Sequence, residues 1–339
     1  MRGVQSSVVD NRPVAGGATQ ASAGMLAPYV EAHERTSMLD LCVRSLNLYE
    51  DWIAAVRAES RVDVEYRRIG TLEVALDRAY ADTLRAASER REGIERTWLD
   101  AERAAREDPA LGGVSGALFT PVHGYVAAEQ VATALAAAAE SRGATVHRAT
   151  VKRIDRQGAS LTVTTSSHRI DADAVVLAAG AWTNAIEGVR TPPLRPVRGQ
   201  LLNLGWQGQP LTTILWGPEC YIVPRTDGSL LAGATVEDVG FDERTTAAGV
   251  RDLLDAVCEL LPEAWGASFL GARVGLRPAT PDGLPAIGPD PDVEGLVHAS
   301  GHYRNGVLLA PITARVTADW IVDERRDSCF ETFRPDRFG

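Results

Sequence analysis

The sequence predicts an α/β protein in which a doubly wound layer is interleaved with a second domain built mainly on an antiparallel sheet. Three observations carry this. Ala174-Val175-Val176-Leu177-Ala178-Ala179 is an apolar run of strand length, as suits a strand covered on both faces of a parallel sheet. It follows an alanine-rich helical stretch over 128–142, closed by Gly143, and strand-like stretches at 145–154 and 160–165. After Thr191 the character changes to strand-like segments at 194–204, 220–224 and 229–235, the last two separated by the turn Thr226-Asp227-Gly228.

The remaining elements follow in chain order. Ser7-Val8-Val9-Asp10 reads as a short buried strand ending in an acid, and 15–24 as a loop of small residues. Apolar residues at helical spacing over 39–58 predict one amphipathic helix, and 62–76 reads as strands around Gly70. The charged, alanine-rich stretch 80–108 reads as solvated helices. Spacing over 247–261 predicts a helix ended by Pro262; a short strand at 295–299 and a helix from Gly306 to about Ile321 complete the chain. The expected division is 1–60, 120–185 and 270–325 for the doubly wound domain, 61–119 and 186–269 for the antiparallel one, and 326–339 as a tail.

Bulk properties narrow the function. The chain has 339 residues, 45% hydrophobic and 24% charged, an ordinary globular composition. The net charge of −10 repels phosphate backbones, so nucleic acid is not an expected partner. No run approaches the roughly 20 apolar residues of a membrane span, and no secretory h-region follows Met1. Cys42, Cys220, Cys258 and Cys329 are far apart, as suits thiols in a reducing cytoplasm. His298 and His302 stand four apart but span a strand end and a loop, so no metal site is expected.

Five segments can carry chemistry. Asp10 ends its strand where an acid can bond ribose hydroxyls, although a turn residue looks the same. The small residues of 16–28, ending Ser22-Ala23-Gly24-Met25-Leu26-Ala27-Pro28, allow close approach to a flat ligand or form an ordinary tight loop. Ala178-Ala179-Gly180-Ala181-Trp182 lets a ligand cross a strand's carboxyl end, or packs against a helix. In Gly275-Leu276-Arg277-Pro278 a partly buried guanidinium needs an anion, either a ligand carboxylate or a structural acid. Gly301-His302-Tyr303-Arg304-Asn305-Gly306 leads into a helix whose first N–H groups favour negative charge.

Together with Tyr221-Ile222-Val223-Pro224-Arg225 and Gly233-Ala234-Thr235, these segments stand in the order seen in glycine oxidases, and from about Arg2 to Val322 the chain resembles that branch of the D-amino acid oxidase family. The resemblance implies an FAD-binding domain of glutathione-reductase type interrupted by a substrate domain. It also implies non-covalent FAD, since the residues flanking Cys220 do not match a covalent attachment pattern. Asp10 would then hold the adenosine ribose, with Asn11, Ala18 and Thr19 along the cofactor, Val151 at the adenine and Gly180 lining its path. Ala23, Gly24 and Met25 would pass near the flavin, and His302, Tyr303, Arg304, Asn305, Gly306, Val307 and Leu308 would meet it from the other side. Tyr221 and Arg277 would bind the substrate carboxylate. The implied activity is oxidation of glycine or a similar small amino acid with dioxygen as acceptor, of the kind that supplies an imine to thiamine biosynthesis. Sarcosine, D-amino acids and other secondary amines are the alternatives, and a homo-oligomer is implied. The chain departs from the pattern in lacking G-x-G-x-x-G: only nine residues precede Asp10. The expectation is that a strand–loop–helix unit lies upstream of the recorded start; the alternative is a remnant unable to hold FAD.

Overall fold

A computed structural model describes residues 3–30, 35–89, 94–158 and 160–339. Arg2, read as the end of an upstream helix, and positions 90–93 of the charged stretch lie outside the described residues. The parallel layer consists of two pairs. Ser7–Asp10 runs parallel to Thr145–Arg148, and Val175–Leu177 runs parallel to Leu296–Ser300, which also pairs antiparallel with Ala286–Pro289. The two sets are separate sheets, and both line one cleft of about 2370 Å³. Val8 and Val176, apolar residues of the kind a continuous layer buries, are 48% and 41% exposed.

The helices Ser37–Leu46, Tyr49–Ser60, Ala128–Ser141 and Gly306–Asp323 pack into one core with Leu41, Ile53, Val131, Leu309 and Ile312 buried. The 39–58 stretch, expected as one helix, breaks at Asn47-Leu48, where Arg68 Nη2 donates to the freed Leu46 carbonyl at 2.8 Å. The Ala128–Ser141 helix ends as expected before Gly143, whose φ is +90°.

The second layer is an eight-stranded sheet. Its order is Ser268–Ala279, Arg195–Gly205, Ser229–Gly233, Tyr221–Pro224, Ile214–Trp216, Thr71–Ala75, Gly116–Thr120 and Thr97–Asp100. Tyr221–Pro224 and Ser229–Gly233 form the hairpin expected from Thr226-Asp227-Gly228. Two sequence expectations change. The charged stretch holds the strand Thr97–Asp100 between its helices, because Leu99 pairs across to Ala117 and is buried. The expected tail is packed: Phe330 and Phe333 are each 1% exposed and join the core around Ile287 and Val316. Among the described residues no helix is long and apolar enough to cross a membrane.

Phe330→Ala is expected to lower unfolding stability by about 3–5 kcal/mol in urea titrations, as core aromatic truncations do. The exposed Phe269, truncated in the same way, is expected to change it by less than about 0.5 kcal/mol.

Candidate functional site

The long strand Ser268–Ala279 brings the guanidinium of Arg277 onto the sheet. It pairs antiparallel with Arg195–Gly205 in the register Gly199↔Gly275 and Val197↔Arg277. Arg277 lies directly over the backbone at Gly199: a Cβ there would stand 2.3–2.4 Å from Nη2, Cζ and Nη1. Arg277 Nη1 donates to the carbonyls of Thr235 at 2.9 Å and Arg198 at 3.3 Å. Tyr221 sits three strands from Arg277, its hydroxyl against Gly233, where a Cβ would come within 2.7 Å of it. Trp216 stacks on Tyr221 with ring centroids 5.8 Å apart and planes at 20°. Beside them Cys220 is buried, which pushes its thiol up to about 12.

A polar network backs Arg277. Glu237 accepts from Arg198 at 2.5 Å, from Gln200 at 2.8 Å and from the Thr235 hydroxyl at 2.6 Å. Burial works to raise the Glu237 carboxyl, but the bonds from Arg198, Gln200 and Thr235 outweigh it and hold it down at about 2. Arg198, 3% exposed, reaches Asp242 as well, at 3.0 Å. Gln200 donates on to Thr246, the N-cap of the helix Ala247–Leu260.

Opposite the clamp begins the helix Gly306–Asp323. Its N-cap, Asn305, makes no side-chain cap bond, so its first N–H groups open into the same cavity of about 1410 Å³ that Arg277 and Tyr221 line. The first turn is pinned from behind. The Tyr49 hydroxyl donates to the Val307 carbonyl, and Ser45 Oγ donates to the Leu308 carbonyl at 2.6 Å. Tyr303, in left-handed conformation with φ +49°, donates its N–H to the Pro278 carbonyl at 3.0 Å, tying this loop to the strand of Arg277. His302 Nε2 and Thr313 Oγ1 are 3.1 Å apart, and burial pushes the imidazole down to about 4, so it is neutral at pH 7. His298 is turned elsewhere, hydrogen-bonded to buried Asp290 at 2.7 Å.

Each residue given a role at the candidate site lines one of two cavities. Asp10, Asn11, Val151 and Gly180 line the larger cleft; Ala23, Gly24, Met25, Tyr221, Arg277, Arg304, Asn305, Val307 and Leu308 line the smaller. Ala18, Thr19, His302, Tyr303 and Gly306 line both, so the two are continuous. Asp10 accepts from the Arg12 N–H at 2.8 Å. Gly180, φ +56°, faces open space on its Cβ side. Packing explains other small residues: a Cβ at Gly24 would meet the Val126 carbonyl at 1.7 Å, and one at Gly275 would meet Ala21 and Ala18 at 2.9–3.1 Å.

The model of the family described as FAD dependent oxidoreductase (DAO) matches residues 1–320. The chain belongs to this FAD-dependent oxidoreductase family. It is 34% identical over 336 residues to the bifunctional protein ThiO/ThiG of Synechocystis sp., covering 97% of this chain and 49% of that one. It thus spans about half the length of such relatives. To the glycine oxidase of Geobacillus kaustophilus it is 32% identical, covering 96% of this chain and 88% of that protein. The crystal structure of that glycine oxidase superposes with a TM-score of 0.92 at 31% identity, over 97% of this chain and 90% of the other. Iminodiacetate oxidase from Chelativorans sp. BNC1 follows with a TM-score of 0.88 at 28% identity, over 98% and 93%.

The residues present fit the FAD of this family. An uncapped helix start suits the edge of a flavin that becomes negative on reduction. Gly199, Trp216 and Glu237 were missed in the sequence, and Thr235 stood out only within Gly233-Ala234-Thr235, with no role given to it. A glycine inside a strand run signals close approach of another group, and Gly199 carried that signal.

Gly199→Ala is expected to push Arg277 off its seat and weaken binding of glycolate, a carboxylate probe, by about tenfold in calorimetric titration. A depressed carboxyl contributes stability above its unfolded value, near 4.5, and loses it as pH falls toward about 2. Thermal midpoints over that window should therefore fall less steeply in Glu237→Gln than in the native chain.

Proposed function

We propose that this chain is an oxidase of a small α-amino acid or amine, glycine first among them, with sarcosine, D-amino acids and larger secondary amines as the alternatives. The observation that supports it most is the placing of Arg277 and Tyr221 in one cavity with the uncapped start of the Gly306–Asp323 helix. The names of the relatives point the same way: two are glycine oxidase and iminodiacetate oxidase, whose named substrates carry a carboxylate beside an amine carbon.

Arg277 offers a planar fork to the substrate carboxylate, held in place by the Thr235 and Arg198 carbonyls. Tyr221 adds a hydroxyl donor to the same group, and Trp216 behind it restricts the ring. Two fixed anchors leave the α-carbon little freedom, a proximity effect. Bound FAD, held non-covalently, supplies the hydride acceptor and the route to dioxygen, with hydrogen peroxide as product. The N–H groups of Gly306, Val307 and Leu308 supply positive potential where negative charge gathers. Asp10, Asn11 and Val151 hold the adenosine end, and Gly180 lets the cofactor pass. The substrate leaves as its imine, and an amine that arrives deprotonated needs no side-chain base. We assign 1–60, 120–185 and 270–325 to the cofactor, and 61–119 with 186–269 to the substrate, with the strand Ser268–Ala279 reaching from one into the sheet of the other. The proposed setting is a cytoplasmic homo-oligomer.

A second reading, a chain that does not retain FAD, draws on the split of the parallel layer and the exposure of Val8 and Val176. A visible spectrum of the purified chain separates the two: flavin bands near about 375 and 450 nm, set by the cofactor's own chemistry, support the oxidase. Peroxide release over a panel of glycine, sarcosine, iminodiacetate and D-alanine then ranks the substrates. Arg277→Ala is expected to raise KM by about a hundredfold, the loss of a bidentate charged pair, with kcat less affected. Tyr221→Phe should raise it about fivefold, as one neutral donor is lost. An unchanged KM in Arg277→Ala removes the clamp assignment.

A further inference from the structure

We infer that the Tyr49 hydroxyl stands in for the backbone N–H that Pro311 lacks, and that this bond aims the Leu308 N–H at the flavin. Tyr49 is thus a positioning residue for the edge of the flavin that gathers charge. The inference rests on the oxidase reading above, in which the start of the Gly306–Asp323 helix faces the flavin.

Pro311 lies inside that helix and is buried. In an α-helix each carbonyl accepts from the N–H four residues on, so the donor for the Val307 carbonyl would be residue 311. Proline has no N–H, and its ring presses on that same carbonyl. The ladder is therefore broken in the first turn, the part of the helix that lines the cavity with Gly306, Val307 and Leu308.

The replacement donor comes from another helix. The break at Asn47-Leu48 leaves Ser45 near the end of one helix and Tyr49 at the start of the next. The Tyr49 hydroxyl donates to the Val307 carbonyl. Ser45 Oγ donates to the following carbonyl, that of Leu308, at 2.6 Å, and residue 312 still has an N–H to serve it. Tyr49 is 0% exposed, and its ring is held by Trp52, edge-on at 5.4 Å, and by Tyr66, stacked at 6.0 Å. Burial pushes its phenol far above the ordinary value, so the hydroxyl keeps its proton and donates throughout the neutral range.

The peptide joining Val307 to Leu308 is planar and trans, so its carbonyl and its N–H point opposite ways. With the carbonyl drawn back onto Tyr49, the Leu308 N–H points toward the start of the helix and into the cavity. Without a donor the carbonyl turns toward water, and the N–H turns with it.

The test is the reduction potential of the flavin bound to the full chain, in Tyr49→Phe and in Tyr49→Phe with Pro311→Ala. Phenylalanine keeps the buried ring and removes the donor. Alanine at 311 gives the N–H back to the ladder. Expected in Tyr49→Phe is a reduced-to-oxidised ratio about fivefold lower at a given potential, a shift of about 20 mV downward for a two-electron couple. In the double variant the native potential returns. In the chain stripped of FAD, hydrogen exchange at the Leu309 amide, bonded to the Asn305 carbonyl at 2.8 Å, quickens about fivefold in Tyr49→Phe and slows again in the double variant. An unchanged potential in Tyr49→Phe overturns the positioning of Leu308. A loss that Pro311→Ala does not reverse makes Tyr49 a packing residue and overturns the donor replacement. A native chain that takes up no flavin overturns the oxidase reading, and the exchange measurement still decides the donor replacement.

Discussion

The seating of the Arg277 guanidinium on the bare backbone of Gly199 is the constraint from which the site is built. Two strands must pair in one register for it to exist, and that register also sets Gly199 opposite Gly275. On the far side, the strand at Gly275 rests on Ala18 and Ala21, close enough that a further methyl group would not fit. One strand thereby joins Arg277, the small-residue loop at Ala18 and Ala21 and, through the Pro278 carbonyl, the loop of Tyr303. A cation held this way is oriented by carbonyls and by contact, so its fork stays aimed at the cavity.

The second half of the site works by leaving groups unpaired where a ligand can use them. The Gly306–Asp323 helix begins without a side-chain cap, and its first turn is held in place from behind by Tyr49 and Ser45 rather than from within. Pinned and uncapped, the helix presents positive potential to the cavity without having to move to do so. His302 in the same wall is kept neutral by burial, so it brings no charge that comes and goes near neutrality.

Much of the site was legible because its residues sit in contiguous motifs. Asp10, the 15–24 loop, Gly180, Arg277 and the Gly301–Gly306 loop each stood out by residue type and Tyr221 by the family resemblance, and the fold brings them to two continuous cavities. The hairpin at Asp227-Gly228 and the helix stop at Gly143 followed from turn chemistry alone. Less legible were features set by distant partners. Asn47 ends a helix where Arg68 can take the exposed carbonyl, and Leu99 becomes strand because Ala117 lies opposite. Phe330 and Phe333 looked like a tail until the core around Ile287 received them.

By itself, then, the sequence determined most of the helices, strands and turns, and which side chains have the chemistry to meet a carboxylate or a flavin. These depend on local propensity and on residue type. Only the tertiary structure decided that Gly24 is small for the sake of the Val126 carbonyl, that Gly199 is small for Arg277, and that Arg12 closes on Glu243. Such contacts join positions up to 231 residues apart, and no pattern along the chain encodes a distance of that kind.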